Sequence, residues 1–195
     1  MYNKILKIMK KNNGFITPIE LEKKGISRIY LSKMVDENII ERIDRGIYVS
    51  KDFKYDEYYL FQYKYPKAIF SNNTALYFYG MTDRTPIKFD VTVNKNYNPH
   101  RFKDIANVYR ANDDLYELGV THIVSPQGMK VKTYNLEKTI CDIIKDKESI
   151  DIETRNKAIK KAIKSKKLNV NLMFDYAKKM NIYDKVKDYM EAIIW

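Results

Sequence analysis

Along residues 17–49 the apolar spacing switches from helical to strand-like, and punctuating residues mark each switch. Thr17-Pro18-Ile19-Glu20 has the pattern of a capping box, with proline at the first helical position where its missing N–H is no loss. Leu21 gives this short helix an apolar contact, and Gly25 suits the left-handed residue that ends it. Ser27 is placed to cap a second helix running to about Glu37. At about 100° per residue, Leu31, Met34, Val35 and Asn38 point one way and Ile29, Ser32, Lys33 and Asp36 the other, with Arg28 and Tyr30 on the shoulders. Two β-branched runs, 39–43 and 47–49, surround Asp44-Arg45-Gly46 and predict a hairpin. Upstream, Ile5, Leu6, Ile8 and Met9 form an apolar stripe among Lys4, Lys7, Lys10 and Lys11, which predicts a helix over 2–12. Phe15-Ile16 is a short extended piece able to pair with the hairpin. Helix, strand, helix, helix, hairpin is the order of a winged helix-turn-helix.

Beyond a linker at 51–56 the pattern becomes mixed. Asp56 is placed to cap an aromatic helix that Pro66 stops; it suits a wedge between two domains or, alternatively, a tyrosine strip for stacking bases. A buried strand is expected at 68–70. A helix capped by Ser71 should follow from Asn72 to about Tyr79, stopped by Gly80. Phe89, Val91 and Val93 alternate with polar residues as a half-buried strand. Further strands are expected at 108–110, 120–124 and 129–134, then a helix over 136–145. From Asp151 the chain reads as three helices, the first with an apolar stripe of Ile152, Ala158, Ile159, Ala162 and Ile163. The fold class is α+β. A winged helix-turn-helix at 1–50 precedes a domain at 57–195, a mixed α/β core to about 150 with a basic helical C-terminal tail.

Charge sharpens this picture. The formal net charge is +11, which favours a polyanionic partner. Ten Lys and Arg stand against six acids in the first fifty residues, so most of the excess lies beyond them. On the second helix, Arg28, Ile29, Ser32 and Lys33 form a plausible major-groove face, with ammonium and hydroxyl for base edges or phosphates and Ile29 for a thymine methyl. Tyr30 is a candidate phosphate contact, and Arg42 and Arg45 suit a phosphate or the minor groove. Lys10 and Lys11 add nonspecific attraction. The run Lys157, Lys160, Lys161, Lys164, Lys166 and Lys167 reads either as a solvated helix face or as an accessory surface for DNA backbone or an acidic partner.

Several chemistries lack their residues. No P-loop or G-x-G-x-x-G occurs, and His100 and His122 have no metal-ligand spacing, so no cofactor or metal is expected. No carboxylate–lysine cluster suits a Mg²⁺ nuclease, so the chain is not expected to be an enzyme. Cys141 lies in an apolar helical stretch and reads as core. A single cysteine and no apolar run of about 20 residues fit a cytoplasmic protein without a membrane span.

Gly25-Ile26-Ser27-Arg28-x-Tyr30-Leu31-Ser32 and Glu41-Arg42-x-x-Arg45-Gly46-x-Tyr48-Val49 resemble the winged-helix part of the AbiEi antitoxins of abortive-infection systems. The resemblance continues through Thr74-Ala75-Leu76, Asp83-Arg84-Thr85-Pro86 and Glu137-Lys138-Thr139-Ile140-Cys141-Asp142. Related sequences often carry His after Ser71, where this chain has Asn72-Asn73. The resemblance implies two roles. The winged helix would bind inverted repeats in its own promoter and repress the operon. The second domain would neutralise a nucleotidyltransferase-like toxin without a stable complex, as in type IV systems. The residues alone leave other readings open: a ligand-sensing winged-helix regulator without antitoxin activity, a protein that titrates the toxin directly, or an enzyme acting on the toxin or its RNA substrate.

Overall fold

The computed structural model describes residues 1–53 and 55–194; Lys54, inside the expected linker, and Trp195 lie outside the described residues. The chain divides into two compact units, Met1–Tyr55 and Asp56–Trp195.

The first unit runs α1 (Tyr2–Lys11), β1 (Phe15–Ile16), α2 (Pro18–Glu22), α3 (Ile29–Asp36), β2 (Ile40–Asp44) and β3 (Ile47–Ser50). The strands form an antiparallel sheet in the order β1-β3-β2, with Phe15 opposite Val49, so the short extended piece does pair with the hairpin. Ile5 and Met9 from α1, Leu21 from α2, Leu31 and Met34 from α3 and Ile40 from β2 close one core. This is a winged helix-turn-helix. Asn38 departs from the expected docking face: it is exposed at φ +55, and the Ile39→Met34 and Asn38→Val35 backbone bonds make it the left-handed residue that ends α3.

The second unit contains α4 (Glu57–Lys64), β4 (Ile69–Phe70), α5 (Asn72–Phe78), β5 (Phe89–Asn94), β6 (Ala106–Ala111), α6 (Asp113–Glu117), β7 (Val120–Val124), β8 (Lys130–Tyr134) and α7 (Leu136–Lys145). The helices α8 (Ile152–Lys164), α9 (Val170–Lys179) and α10 (Tyr183–Ile194) complete it. Its sheet has the order β6-β5-β4-β8-β7. The β5–β6 and β4–β8 pairs are parallel and the other two antiparallel.

Aromatic residues fill one of the unit's two cores. Tyr58 and Phe61 of α4 pack with Phe70, Phe89 and Phe102, with Tyr58 edge-on to Phe70 at 5.7 Å between centroids. The aromatic helix therefore packs onto its own sheet, which replaces the expectation of a wedge between domains or a base-stacking strip. Asp56 ties down its start: one carboxylate oxygen accepts from the Tyr59 N–H at 3.0 Å and the other from the buried Ser125 hydroxyl.

The other core centres on α7, where Ile140, Cys141, Ile143 and Ile144 meet Leu76 of α5 and the tail residues Ile159, Met173, Val186 and Met190. Cys141 is core, and burial pushes its thiol up to about 12. Glu137 accepts the Asn169 N–H at 2.8 Å, joining α7 to the start of α9.

Three details differ from the sequence expectations. Ile152 is 67% exposed, and Thr154 and Arg155 occupy the inner face of α8 in its place. Ile152 follows the Asp151 cap directly, so it lies at the helix end rather than on the packed stripe. Asp83 and Arg84 do not form a local turn pair; they reach α8 through Lys161 and Asp151, each at 3.3 Å. Asp142 takes Lys138, one turn before it, as its partner. The short α6 was not expected, and it buries no residue fully.

Asp56→Ala should remove a helix cap and orphan a buried hydroxyl together, lowering unfolding free energy by about 2 kcal/mol. A urea titration that moves by less than a quarter of that would show that neither bond matters.

Candidate nucleic-acid interface

The helix-turn-helix is built from local bonds that the sequence dictates. The Thr17 hydroxyl accepts the Glu20 N–H at 3.2 Å, and the Glu20 carboxylate accepts the Thr17 N–H at 3.0 Å, the reciprocal capping box. The other end of α2 closes with Ile26→Leu21 and Gly25→Glu22 backbone bonds, which require Gly25 at φ +69. That closure turns the chain toward α3. Ser27 does not hold the N-cap position itself. Arg28 sits there with helical φ/ψ, and the first turn is tightened by Leu31→Arg28, leaving the Ser27 hydroxyl a long 3.4 Å bond from the Ile29 N–H.

Leu31 and Met34 are fully buried, which fixes the rotation of α3. The opposite face is open: Arg28, Ser32, Lys33 and Asp36 are exposed, and Ile29 is 56% exposed. An apolar side chain kept in water beside a hydroxyl and an ammonium is an arrangement suited to a base edge and a thymine methyl. Asp36 on the same face disfavours phosphate and so confines close approach to the N-terminal part of the helix. Tyr30 differs from its neighbours. It is partly buried, its ring edge-on to Tyr2 at 6.4 Å, so its body belongs to the packing.

The wing carries its two arginines differently. Asp44 pairs with Ile47 across Arg45-Gly46, and the register shifts between Arg42 and Asp44. Arg45 is exposed at this tip, its backbone N–H held by the Asp44 carboxylate at 2.5 Å. Arg42 lies back along the strand, its Nε donating to the Asp44 carbonyl at 3.3 Å and its guanidinium 5.9 Å from the Tyr48 ring centre. Arg45 is thus the freer group, and Arg42 stiffens the wing.

Residues 3–51 match the model of a family described as transcriptional regulator, AbiEi antitoxin. The N-terminal unit is similar to the AbiEi antitoxin regulators. No curated protein matches the chain. In fold, the chain is similar to the crystal structure of the RV2827C protein from Mycobacterium tuberculosis, with a TM-score of 0.59 at 10% identity over 94% of this chain and 76% of that one. At that identity the likeness concerns the fold alone. Among the described residues no helix is long and apolar enough to cross a membrane, and no group of His, Cys, Asp or Glu is placed to hold a metal.

The N-terminal unit carries more cation than α3 alone suggested. Lys10 and Lys11 are exposed, and Lys4, Lys7 and Lys24 join them around a shallow cavity of about 500 Å³. The spacing of the α1 lysines was readable, whereas the arrival of Lys24 from the end of α2 depends on how the two helices pack. In the second unit Lys157, Lys160, Lys161, Lys164, Lys166 and Lys167 are all exposed. Two of them are engaged, Lys157 with Glu153 at 2.6 Å and Lys161 with Asp83 at 3.3 Å. Exposed pairs of this kind are weak and screened, so they do not lock the lysines away from another anion.

Thr17→Ala should cost about 1 kcal/mol by removing the hydroxyl that accepts the Glu20 N–H, while the backbone N–H at 17 keeps its bond to the Glu20 carboxylate. An unchanged thermal midpoint for this variant would show that packing, not capping, positions the turn.

Proposed function

We propose that the protein is an antitoxin that represses its own operon and neutralises a nucleotidyltransferase-like toxin. One observation carries the DNA-binding half: the open face of α3, with Arg28, Ile29, Ser32 and Lys33 exposed in a domain that matches the AbiEi regulators. In this reading those four residues enter the major groove of an inverted repeat. Arg45, and less directly Arg42, hold the backbone or minor groove from the wing, with Tyr30 at the edge of the contact. Lys10 and Lys11 add sequence-independent attraction.

The antitoxin half rests on the family of the N-terminal domain and on the presence of a second, separately packed unit. That unit acts on the cognate toxin without a lasting complex, and the lysines from Lys157 to Lys167 are its accessory basic surface. The protein acts in the cytoplasm, uses no cofactor and serves phage defence by abortive infection.

Lys33→Ala and Arg45→Ala should each weaken binding to the upstream inverted repeat and flatten its salt dependence by about one unit of slope for every phosphate that is no longer neutralised. Both side chains are exposed, so the melting temperature should not move. Carried together in the full chain, the two changes should derepress the promoter while still rescuing growth from the toxin. Unchanged DNA binding would remove α3 and the wing as the interface. Loss of rescue with the fold intact would place protection in repression alone.

A further inference from the structure

The second unit holds a cavity of about 710 Å³, with a mixed polar and apolar lining, that the regulatory reading does not use. Thr92 of β5 and Tyr109 of β6 are register partners in the parallel pair and line it together. Lys138, Asp142 and Lys145 of α7 line it too, at the i, i+4, i+7 spacing of one helical stripe. The rest of α7 is covered, Glu137 and Thr139 included, so these charges line the cavity instead of forming an ordinary solvated face. The Lys138 side chain is only 3% exposed. Its ammonium meets both Asp142 oxygens at 2.6 and 2.7 Å and lies 4.5 Å from the Tyr134 ring centre. Burial pushes the Asp142 carboxyl up against the pull of Lys138.

Asn72 completes the wall and is costly where it stands. It is 2% exposed, its backbone has φ +43, and its Oδ1 has no hydrogen-bond partner among the described residues. The flanking Ser71 Oγ and Asn73 Oδ1 are buried and unpartnered as well. Buried polar groups in folded proteins are nearly always paired. Of the three, Asn72 lines the cavity, and its unpaired amide oxygen marks a place where a partner comes from outside the chain. Glycine at position 72 would relieve both the backbone and the orphaned oxygen, so the asparagine is explained by something other than stability.

We propose that this cavity binds a mononucleotide whose base carries an exocyclic amine. The volume falls within the range of small-molecule sites. An amide and a carboxylate are the side chains that receive such amines, Asn from adenine and Asp from cytosine. Lys145 is exposed at the rim and has no ion-pair partner among the described residues, so it is free to meet a phosphate. This site stands independently of the DNA-binding and antitoxin roles.

Calorimetric titration of the full chain with AMP, CMP, UMP, adenosine and inorganic phosphate tests it. AMP or CMP should bind with Kd below about 1 mM, and UMP about tenfold more weakly for want of the amine. Asn72→Gly should weaken the preferred nucleotide about tenfold while its melting temperature stays level or rises. Lys145→Ala should weaken AMP and leave adenosine unchanged. Absence of binding by all three nucleotides at millimolar concentration would overturn the proposal, as would wild-type affinity in Asn72→Gly. Inorganic phosphate binding as tightly as the nucleotides would reduce the site to a rim cation. Failure of Asn72→Gly to fold would refute the argument from cost, and the Lys145→Ala comparison would then decide whether a nucleotide is held at all.

Discussion

Helix α7 has to bury nearly all of itself, and the second unit is arranged to let it. Eight of its ten residues are inaccessible, among them Glu137 and Lys138, so each charge must find a partner inside the fold. Glu137 finds the N–H of Asn169 and thereby fixes where α9 begins. Lys138 finds Asp142 one turn away and the face of Tyr134 below. The apolar remainder needs cover from α5, α8, α9 and α10, and the tail helices are shaped by that demand. What looks in sequence like a basic appendage is the lid of a core, with lysines only on its outer side.

The first unit is organised the opposite way, by short-range bonds. Thr17 with Glu20, Gly25 with Glu22, and Asn38 with Val35 each lie within four residues. These bonds set the turn, while Leu31 and Met34 set the rotation of α3. The open face is what remains after those constraints are met. Its chemistry is that of Ile29, Ser32 and Lys33 kept in water by the burial of their neighbours.

That contrast explains what could be read in advance. The winged helix was readable almost residue by residue because capping, glycine closure and hairpin register are local. The strands at 69–70, 89–94 and 120–124 were readable from alternation and short apolar runs. Other features depend on partners far along the chain. Nothing around Asp83-Arg84 announces that their ionic partners sit on α8. The five residues of α6 carry no apolar period because none is fully buried. Lys138 and Asp142 lie one turn apart in sequence, and only the fold brings them to one cavity with Thr92 of β5 and Tyr109 of β6. Asn72 carries no mark of a site in the sequence, and its unpartnered oxygen shows only in the fold.

The strand pairings also bear on how the chain is made. Sheet closure in the first unit spans from Phe15 to Val49, and every residue it needs precedes Asp56. In the second unit β4 waits for β8, Phe70 for Thr133, and α7 stays uncovered until α9 and α10 have been added. Non-local closure of this kind is slow and leaves apolar surface open meanwhile. During synthesis the regulator domain has all its partners available while the second unit is still short of its own. A chain interrupted late would therefore carry a complete winged helix joined to an unclosed, protease-sensitive body. Because each pause or cut in the last third strikes only the second unit, the chain's vulnerability lies there and not in the winged helix.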